Sequence, residues 1–271
     1  MSEPYSEPIV CQPRRLPQDK LVAAARTATE INPVNHPPLE RLARIEPDFR
    51  PTRERLAVLT TKYWGPLGVH LTVGFPFDDP PTDLRARILS HMNAWAQTAN
   101  VRFVETATDP QVRIARTPGD GYWSYLGTDI FQIPADEPTM NLESFTMNTP
   151  ESEYRRVVRH ETGHTMGFPH EHMRRELVER IDEDKAIEYY GRTQGWNEEE
   201  ARRQVLTPIE ESSLIGTLHA DPSSIMCYQI PGEITKDGKP IIGGVDIDQT
   251  DYTFVALIYP KLFGSASEEE M

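Results

Sequence analysis

Apolar side chains repeat with helical spacing in several stretches of this 271-residue chain. The strongest repeat covers residues 82–99, and Thr82 and Asp83 at its start suit an N-terminal cap. Asn148 or Thr149 is the predicted cap of the helix that follows them. The same spacing predicts further helices over 18–30, 151–166, 181–190, 197–206 and 246–259.

Shorter apolar runs, bounded by Gly, Pro or polar residues, predict strands. They cover residues 56–60, 69–73, 101–104, 112–115, 129–133 and 139–142. Together with the helices, they suit a single domain of about 200 residues that can bury a full core and carries extensions at its ends.

The first 54 residues form a separate extension, which holds nine of the chain's 24 prolines. Its apolar content is too low for it to fold by itself, so it lies against the rest of the chain or is mobile. The acidic residues 263–271 are predicted to be a disordered tail. The predicted division is therefore an extension over 1–54, a globular domain over 55–262 and this tail.

Charge and composition exclude several classes of protein. The 28 basic and 42 acidic side chains give a net charge of −14, so no basic surface is available for nucleic acid. No apolar run is long enough to cross a bilayer, and the N-terminus lacks the basic and apolar regions of a secretory signal. Two cysteines, Cys11 and Cys227, cannot form a disulfide framework. We therefore expect a cytoplasmic protein, or one exported by a route that needs no leader.

Residues 160–172 contain four of the chain's eight histidines. His160 and His164 are four positions apart, so on a helix both imidazoles lie on one face and can bind one metal ion. Glu161 is turned about 100° from that face, which suits a base acting on water at the metal better than a ligand. Imidazole ligands favour zinc, although cobalt and copper also bind nitrogen-rich sites.

A third ligand follows where this helix is predicted to end. Gly167 tolerates a left-handed C-terminal conformation and Pro169 cannot continue a helix, so the chain turns and brings His170 towards the same ion. Three nitrogen ligands leave one tetrahedral position for water, which is typical of catalytic rather than structural zinc. The spacing of His172 does not fit a ligand, and we expect a structural or supporting role for it.

The motif H-E-x-x-H-x-x-G-x-x-H at 160–170 matches the consensus of metzincin zinc peptidases, and 167–174 resembles its longer form in the astacin family. Residues 224–228 resemble the astacin Met-turn, with Cys227 in place of the usual His. Residues 121–127 resemble an astacin loop but lack its disulfide cysteine. The chain is therefore similar to astacins, but it is divergent and poor in disulfides, like a bacterial-type member.

The resemblance implies an α+β fold of the zincin type: a twisted mixed sheet with the active-site helix, a mainly helical C-terminal subdomain and a cleft between them. It implies a zinc-dependent endopeptidase, with one catalytic zinc ion on the three histidines and Glu161 as general base. Met226 would lie beneath the zinc site, and Tyr228 would reach the metal or the oxyanion. In metzincins a strand in the region 129–142 is the exposed antiparallel edge to which substrate adds. The expected partner is a peptide or protein substrate, and we expect a monomer.

Several metzincins are held inactive by a segment whose Cys or Asp side chain occupies the open zinc position, and Cys11 lies in such an extension. Its thiolate would bind zinc at about 2.3 Å and displace the water, which makes Cys11 a candidate latency ligand. The alternative is a loosely packed extension without this role. Two other functions stay open: a structural zinc protein without turnover, and an effector that acts on one narrow target. Glu161 and Tyr228 argue against the first, since a structural site needs neither.

Overall fold

Five strands form one mixed sheet. In chain order they are β1 (Val69–Gly74), β2 (Val101–Glu105), β3 (Val112–Ala115), β4 (Tyr122–Ser124) and β5 (Met140–Leu142). Their spatial order is β2-β1-β3-β5-β4, and all run parallel except β4, which pairs antiparallel with β5 at one edge. The computed structural model describes residues 11–12, 14–37, 39, 52–209 and 220–261, so the predicted tail 263–271 lies outside it.

Helices account for most of the other regular structure. They are α1 (Leu21–Ile31), α2 (Arg53–Leu59), α3 (Thr82–Met92), α4 (Glu151–Glu153, a π-helical turn over Tyr154–Val158, and Arg159–Thr165), α5 (Arg175–Val178), α6 (Glu183–Gln194), α7 (Glu198–Ala201 with a π-helical turn over Arg202–Leu206) and α8 (Gln249–Ile258). Short 3-10 helices cover Gln18–Lys20, Pro33–Asn35, Asn93–Gln97, Gly127–Gln132, Glu171–Met173 and Gly232–Ile234. The fold is α+β, as predicted, and each described helix is too short or too polar to cross a bilayer.

The main core fixes α4 between α3 and the C-terminal helix α8. Ile88 and Met92 of α3 are fully buried, as the apolar repeat predicts. Beyond α3, Trp95 Nε1 donates a hydrogen bond of 3.0 Å to the Arg159 carbonyl of α4. Tyr259, which follows α8, is also fully buried, and its hydroxyl donates to the Met166 carbonyl at 2.5 Å. The end of α4, where the metal motif lies, is therefore held from two sides.

Two of the predicted strands are wrong. Residues 56–60 belong almost entirely to helix α2, and residues 129–132 belong to the 3-10 helix Gly127–Gln132. Both stretches are short apolar runs, and the periodicity of such runs does not separate a strand from a buried helical turn. Helix α1 of the N-terminal extension packs on both of them. A contact distant in sequence therefore decides their conformation.

The predicted sheet edge and two predicted helix caps also need correction. Strand β5 lies inside the sheet, between β3 and β4, so the antiparallel edge is β4 and not a strand within 129–142. Pro81 and Pro150 occupy the N-cap positions of α3 and α4, and neither helix has a side-chain cap. At α8, in contrast, Asp248 and Asp251 form a capping box, as their position before the apolar repeat predicts.

Candidate active site

The last turns of α4 position two of the predicted metal ligands. The π-helical turn over Tyr154–Val158 comes directly before them, a feature that is frequent at functional sites and that the sequence pattern does not reveal. His160 and His164 follow on regular α-helix, and their ring centroids are 4.8 Å apart. Both side chains are buried. The i, i+4 spacing thus places both imidazoles on one face, as predicted.

Backbone carbonyls orient these two imidazoles. His160 Nδ1 lies 2.6 Å from the Ile225 carbonyl, and His164 Nδ1 lies 2.8 Å from the Phe168 carbonyl. A carbonyl can only accept a hydrogen bond, so Nδ1 carries the proton and Nε2 is the free ligand atom in each ring. His170 Nε2 lies 3.1 Å from His160 Nε2 and 3.0 Å from His164 Nε2. The three Nε2 atoms therefore converge.

This triangle of nitrogens fits zinc. Tetrahedral zinc with bonds of about 2.0–2.1 Å separates neighbouring nitrogens by roughly 3.3 Å, close to the observed distances. Burial lowers the pKa of His160 to about 4 and lowers the pKa of His164 and His170 as well, so all three are neutral and able to ligate. Cys11 Sγ joins them: the sulfur and three imidazole nitrogens lie within 4.8 Å of one another.

The turn that brings in His170 depends on Gly167. Its φ is +100°, and a Cβ there would lie 3.0 Å from the Lys62 carbonyl, so a larger residue is disfavoured both by conformation and by space. Phe168 N then donates to the Gly163 carbonyl at 3.0 Å, which satisfies the end of the helix. The predicted helix end is confirmed, and the chain reverses towards the metal site.

Met226 lies against α4 beside the histidines, with 4% of its surface exposed. A Cβ on Gly163 would lie 2.4 Å from Met226 Sδ, so a larger residue inside H-E-x-x-H would force the methionine side chain to move. The sequence pattern alone gives no sign of this contact. It could have been found only by pairing the motif with the Met-turn some sixty residues later.

Asp251 is a further residue whose role in the site the sequence does not indicate. Besides capping α8, its carboxylate accepts from Ser224 Oγ at 2.6 Å and from Ile225 N at 3.0 Å. The Ile225 carbonyl in turn orients His160. Asp251 therefore couples the position of α8 to one of the metal-site imidazoles.

Glu161 lies next to the histidine cluster and is 1% exposed. Among the described residues, none of the domain itself hydrogen-bonds its carboxylate oxygens, and the group that faces them is the Cys11 thiol of the extension. Burial raises the pKa of the Glu161 carboxyl to about 8. A cavity of about 60 Å³ adjoins it, bordered by Arg156 of α4 and by Gln229 after the Met-turn. A carboxyl group that is buried without a hydrogen bond from the domain itself is costly, which indicates a group kept available for chemistry.

Tyr228 and His172 complete the described surroundings. The two rings stack with centroids 3.9 Å apart, and the Tyr228 ring lies 4.3 Å from the His170 ring. His172 Nε2 is 3.0 Å from the Gln204 carbonyl and does not belong to the metal-ligating cluster. It has the supporting position that its spacing predicts. The Tyr228 hydroxyl donates to the carbonyl of Cys11.

The N-terminal extension reaches the site through Cys11, which is 6% exposed. Burial, first of all, raises the pKa of its thiol. The next residue, Gln12, donates its backbone N–H to the Tyr122 carbonyl of edge strand β4 at 2.9 Å. Cys11 is thus attached by its carbonyl and by its neighbour's N–H, and its buried side chain covers the histidine cluster.

Converging imidazoles with a buried glutamate beside them, on a mixed sheet with an antiparallel edge, are the arrangement of a zincin-type metallopeptidase. Residues 61–231 match the model of the astacin family of peptidases. The chain belongs to this family, as the motifs predict.

Individual relatives agree with this assignment. The zinc metalloproteinase nas-27 of Caenorhabditis elegans is 31% identical over 137 residues, which are 49% of this chain and 28% of that protein. Two solved structures of myroilysin are each 30% identical and match 74% of this chain, with TM-scores of 0.69 and 0.56; the matches cover 97% and 86% of the solved chains. This chain thus spans under a third of the curated relative and nearly all of one solved structure.

Proposed function

We propose that this chain is a zinc-dependent endopeptidase in which Glu161 is the general base. The observation that carries the proposal is the buried Glu161 carboxyl group beside three converging imidazole nitrogens, where the Cys11 thiol of the extension faces it. Zinc on His160, His164 and His170 would lower the pKa of water towards about 7 and polarise the scissile carbonyl. Burial alone favours the protonated form of Glu161, and a zinc cation on the three histidines would favour its ionised form. As a carboxylate, Glu161 accepts the proton of the attacking water and returns it to the leaving amine, which is typically worth ~10²–10⁴ in rate.

Tyr228 is proposed to donate a hydrogen bond to the oxyanion. In support, its hydroxyl already donates to a carbonyl oxygen, that of Cys11, next to the histidine cluster. A substrate carbonyl that replaces the Cys11 carbonyl would receive the same hydrogen bond. Loss of one such donor costs roughly 3 kcal/mol of transition-state stabilisation.

The test of the general base is Glu161→Gln, compared with Glu188→Gln on the exposed face of α6, each made in full-length Cys11→Ser protein so that Cys11 does not block the site. Zinc content and cleavage of a mixed peptide library are measured for both. We expect both variants to retain zinc, and only Glu161→Gln to lose at least ~10² in rate. A Glu161→Gln protein that cleaves peptides like the parent would refute the assignment. Zinc without cleavage in any form would instead favour a structural site or a single narrow target.

We also propose that Cys11 is the latency ligand of this site. Its sulfur lies in the imidazole cluster, and a thiolate there would complete a closed four-ligand zinc site that excludes water. In the full-length protein, Cys11→Ser should raise peptide cleavage at least ~10-fold, since a hydroxyl is a poorer zinc ligand than a thiolate. Val34→Ala, at an exposed position of the extension, is the control. Unchanged activity in Cys11→Ser would reduce Cys11 to a buried packing residue.

A further inference from the structure

We propose that Asp120 and Trp123 form a substrate subsite for an arginine or lysine side chain, and that Arg14 of the extension occupies it in the closed protein. This inference rests on the proposed peptidase function and adds a substrate class to it. We call this pair of side chains the cation subsite.

Arg14 contacts both members of the cation subsite. Its guanidinium carbon lies 4.6 Å from the centroid of the Trp123 ring, and its Nη2 lies 2.5 Å from Asp120 Oδ1. The other carboxylate oxygen, Oδ2, accepts from Trp123 Nε1 at 3.0 Å. The carboxylate is thus oriented by the tryptophan itself and leaves one oxygen for a cation. An aromatic face together with a carboxylate selects a guanidinium or ammonium group over a neutral side chain.

The domain builds this subsite without help from the extension. Glu143 accepts the backbone N–H groups of Gly119 and Gly121 at 2.8 and 2.7 Å, which fixes the loop that carries Asp120. A cavity of about 340 Å³ adjoins Arg14 and is bordered by Asp120, Trp123 and Glu143. A second carboxylate, that of Glu143, therefore lines the cavity. The cavity also leaves room for a substrate side chain whose backbone follows a different path from that of Arg14.

The cation subsite lies on the path that a substrate is expected to take. Gln12 binds the Tyr122 carbonyl on the outer edge of β4, and Trp123 is the next residue of that strand. Unpaired strand edges bind extended peptides through the same backbone groups. Cys11 lies at the imidazole cluster and Arg14 is three residues further along the chain. A basic side chain about three residues from the scissile bond would therefore reach the cation subsite.

The first test measures cleavage by full-length Cys11→Ser protein. Each reference peptide is compared with versions that carry arginine or its neutral isostere citrulline at one position on either side of the scissile bond. We expect kcat/KM to be roughly five- to tenfold higher for arginine at one position about three residues away. The additional substitution Asp120→Asn should bring this ratio close to one, while Asp136→Asn, which removes an exposed carboxylate elsewhere, should leave it unchanged.

A ratio near one in Cys11→Ser, or a ratio that Asp120→Asn does not alter, would overturn the proposal and leave Asp120 as a contact of the extension only. If no peptide is cleaved at all, the proposed peptidase function is refuted, and a second measurement can still test whether the cation subsite binds a basic side chain. This is the rate of Cys11 alkylation by iodoacetamide in the otherwise unaltered full-length chain, followed by mass spectrometry. Millimolar arginine peptide should accelerate alkylation several-fold more than its citrulline counterpart, and equal acceleration would contradict the proposal.

Discussion

Residues 11–15 and residues 21–36 belong to one N-terminal extension, but they are attached to the domain by different kinds of contact. The first segment lies on β4 through a backbone hydrogen bond, and Arg14 pairs with Asp120 where both side chains are substantially exposed, 46% and 36%. Water or a substrate can replace such contacts at little cost. We refer to residues 11–15 as the cleft segment; the next residue, Leu16, is buried against Ala24 of α1.

The second segment is held by buried groups. Asn35 is 1% exposed; its Nδ2 donates to the Tyr63 carbonyl at 2.7 Å, and its Oδ1 accepts from Tyr63 N at 2.9 Å. Asn32 Nδ2 donates to the Trp64 carbonyl at 2.7 Å, and Ala24 and Ala28 of α1 are buried. These backbone groups have no access to water as replacement partners. Residues 21–36, which we call the anchor segment, are therefore part of the folded domain, whereas only the cleft segment is suited to leave.

Two truncations should show the largest difference between the cleft segment and the anchor segment in activity and stability. Removal of residues 1–15 should expose the histidine cluster, raise peptide cleavage by at least ~10-fold and leave the thermal midpoint within a few degrees. Removal of residues 1–51 takes away the hydrogen bonds of Asn32 and Asn35 and exposes the apolar surface that Ala24 and Ala28 of α1 cover, so it should cost a large part of the total stability. Thermal unfolding and cleavage of both proteins are compared. An active 52–271 protein with an unchanged midpoint would show that the two segments do not differ.

Asn35→Ala tests the anchor segment at one side chain. It removes hydrogen bonds to three buried backbone groups, the Ala28 carbonyl and both the N–H and the carbonyl of Tyr63, so we expect the free energy of unfolding to fall by about 2–4 kcal/mol. Urea unfolding is the measurement, and Asn148→Ala at an exposed position is the control, with a change within ~0.5 kcal/mol. A change of similar size in both variants would remove the argument that Asn35 is an anchor.

The free energy of unfolding should also depend on pH through Asp129, which lies in the 3-10 helix Gly127–Gln132 on which α1 packs. Burial raises the pKa of Asp129 to about 6, although Lys62 Nζ lies 3.5 Å from its carboxylate. Between pH of about 4 and about 6 the folded chain therefore keeps a proton that the unfolded chain has released. The free energy of unfolding falls as pH rises through this window, by an amount on the order of 2 kcal/mol from this group. The free energy of unfolding of Asp129→Asn, measured with urea at pH 4 to 7, should fall less with rising pH than that of the parent. If the two proteins had the same pH profile, the assignment to Asp129 would be wrong.

The smallest effect is expected from Arg14→Gln. Since the pair with Asp120 is exposed, global stability should change by no more than ~0.5 kcal/mol. Alkylation of Cys11 should nevertheless become several-fold faster, because the cleft segment loses a contact that keeps it on the domain. That contact adds little to the free energy of global unfolding. Arg14→Lys, which keeps the charge, should stay close to the parent. A loss of stability comparable to that of Asn35→Ala would mean that the cleft segment is also an anchor.

Much of the metal site follows from local spacing in the sequence. The positions of His160 and His164 follow from helical periodicity, and the turn to His170 follows from Gly167, because each depends only on residues a few positions away. The capping box of α8 and the apolar repeat of α3 are predictable for the same reason. The family was also recognisable, since its motifs are contiguous.

The tertiary structure decided what depends on contacts distant in sequence. The conformation of residues 56–60 and 129–133 is set by packing against α1, which short apolar runs do not encode. Gly163 and Met226 belong to separate sequence motifs and contact each other only in the folded chain. Asp251 caps α8 locally and also accepts a hydrogen bond from Ile225 N in the Met-turn. The resemblance to metzincins and the zinc affinity of a thiolate made Cys11 a candidate. Cys11 reaches the imidazole cluster because the anchor segment fixes the path of the residues before it. The local sequence pattern does not predict that the polar side chains of Asn32 and Asn35 are buried.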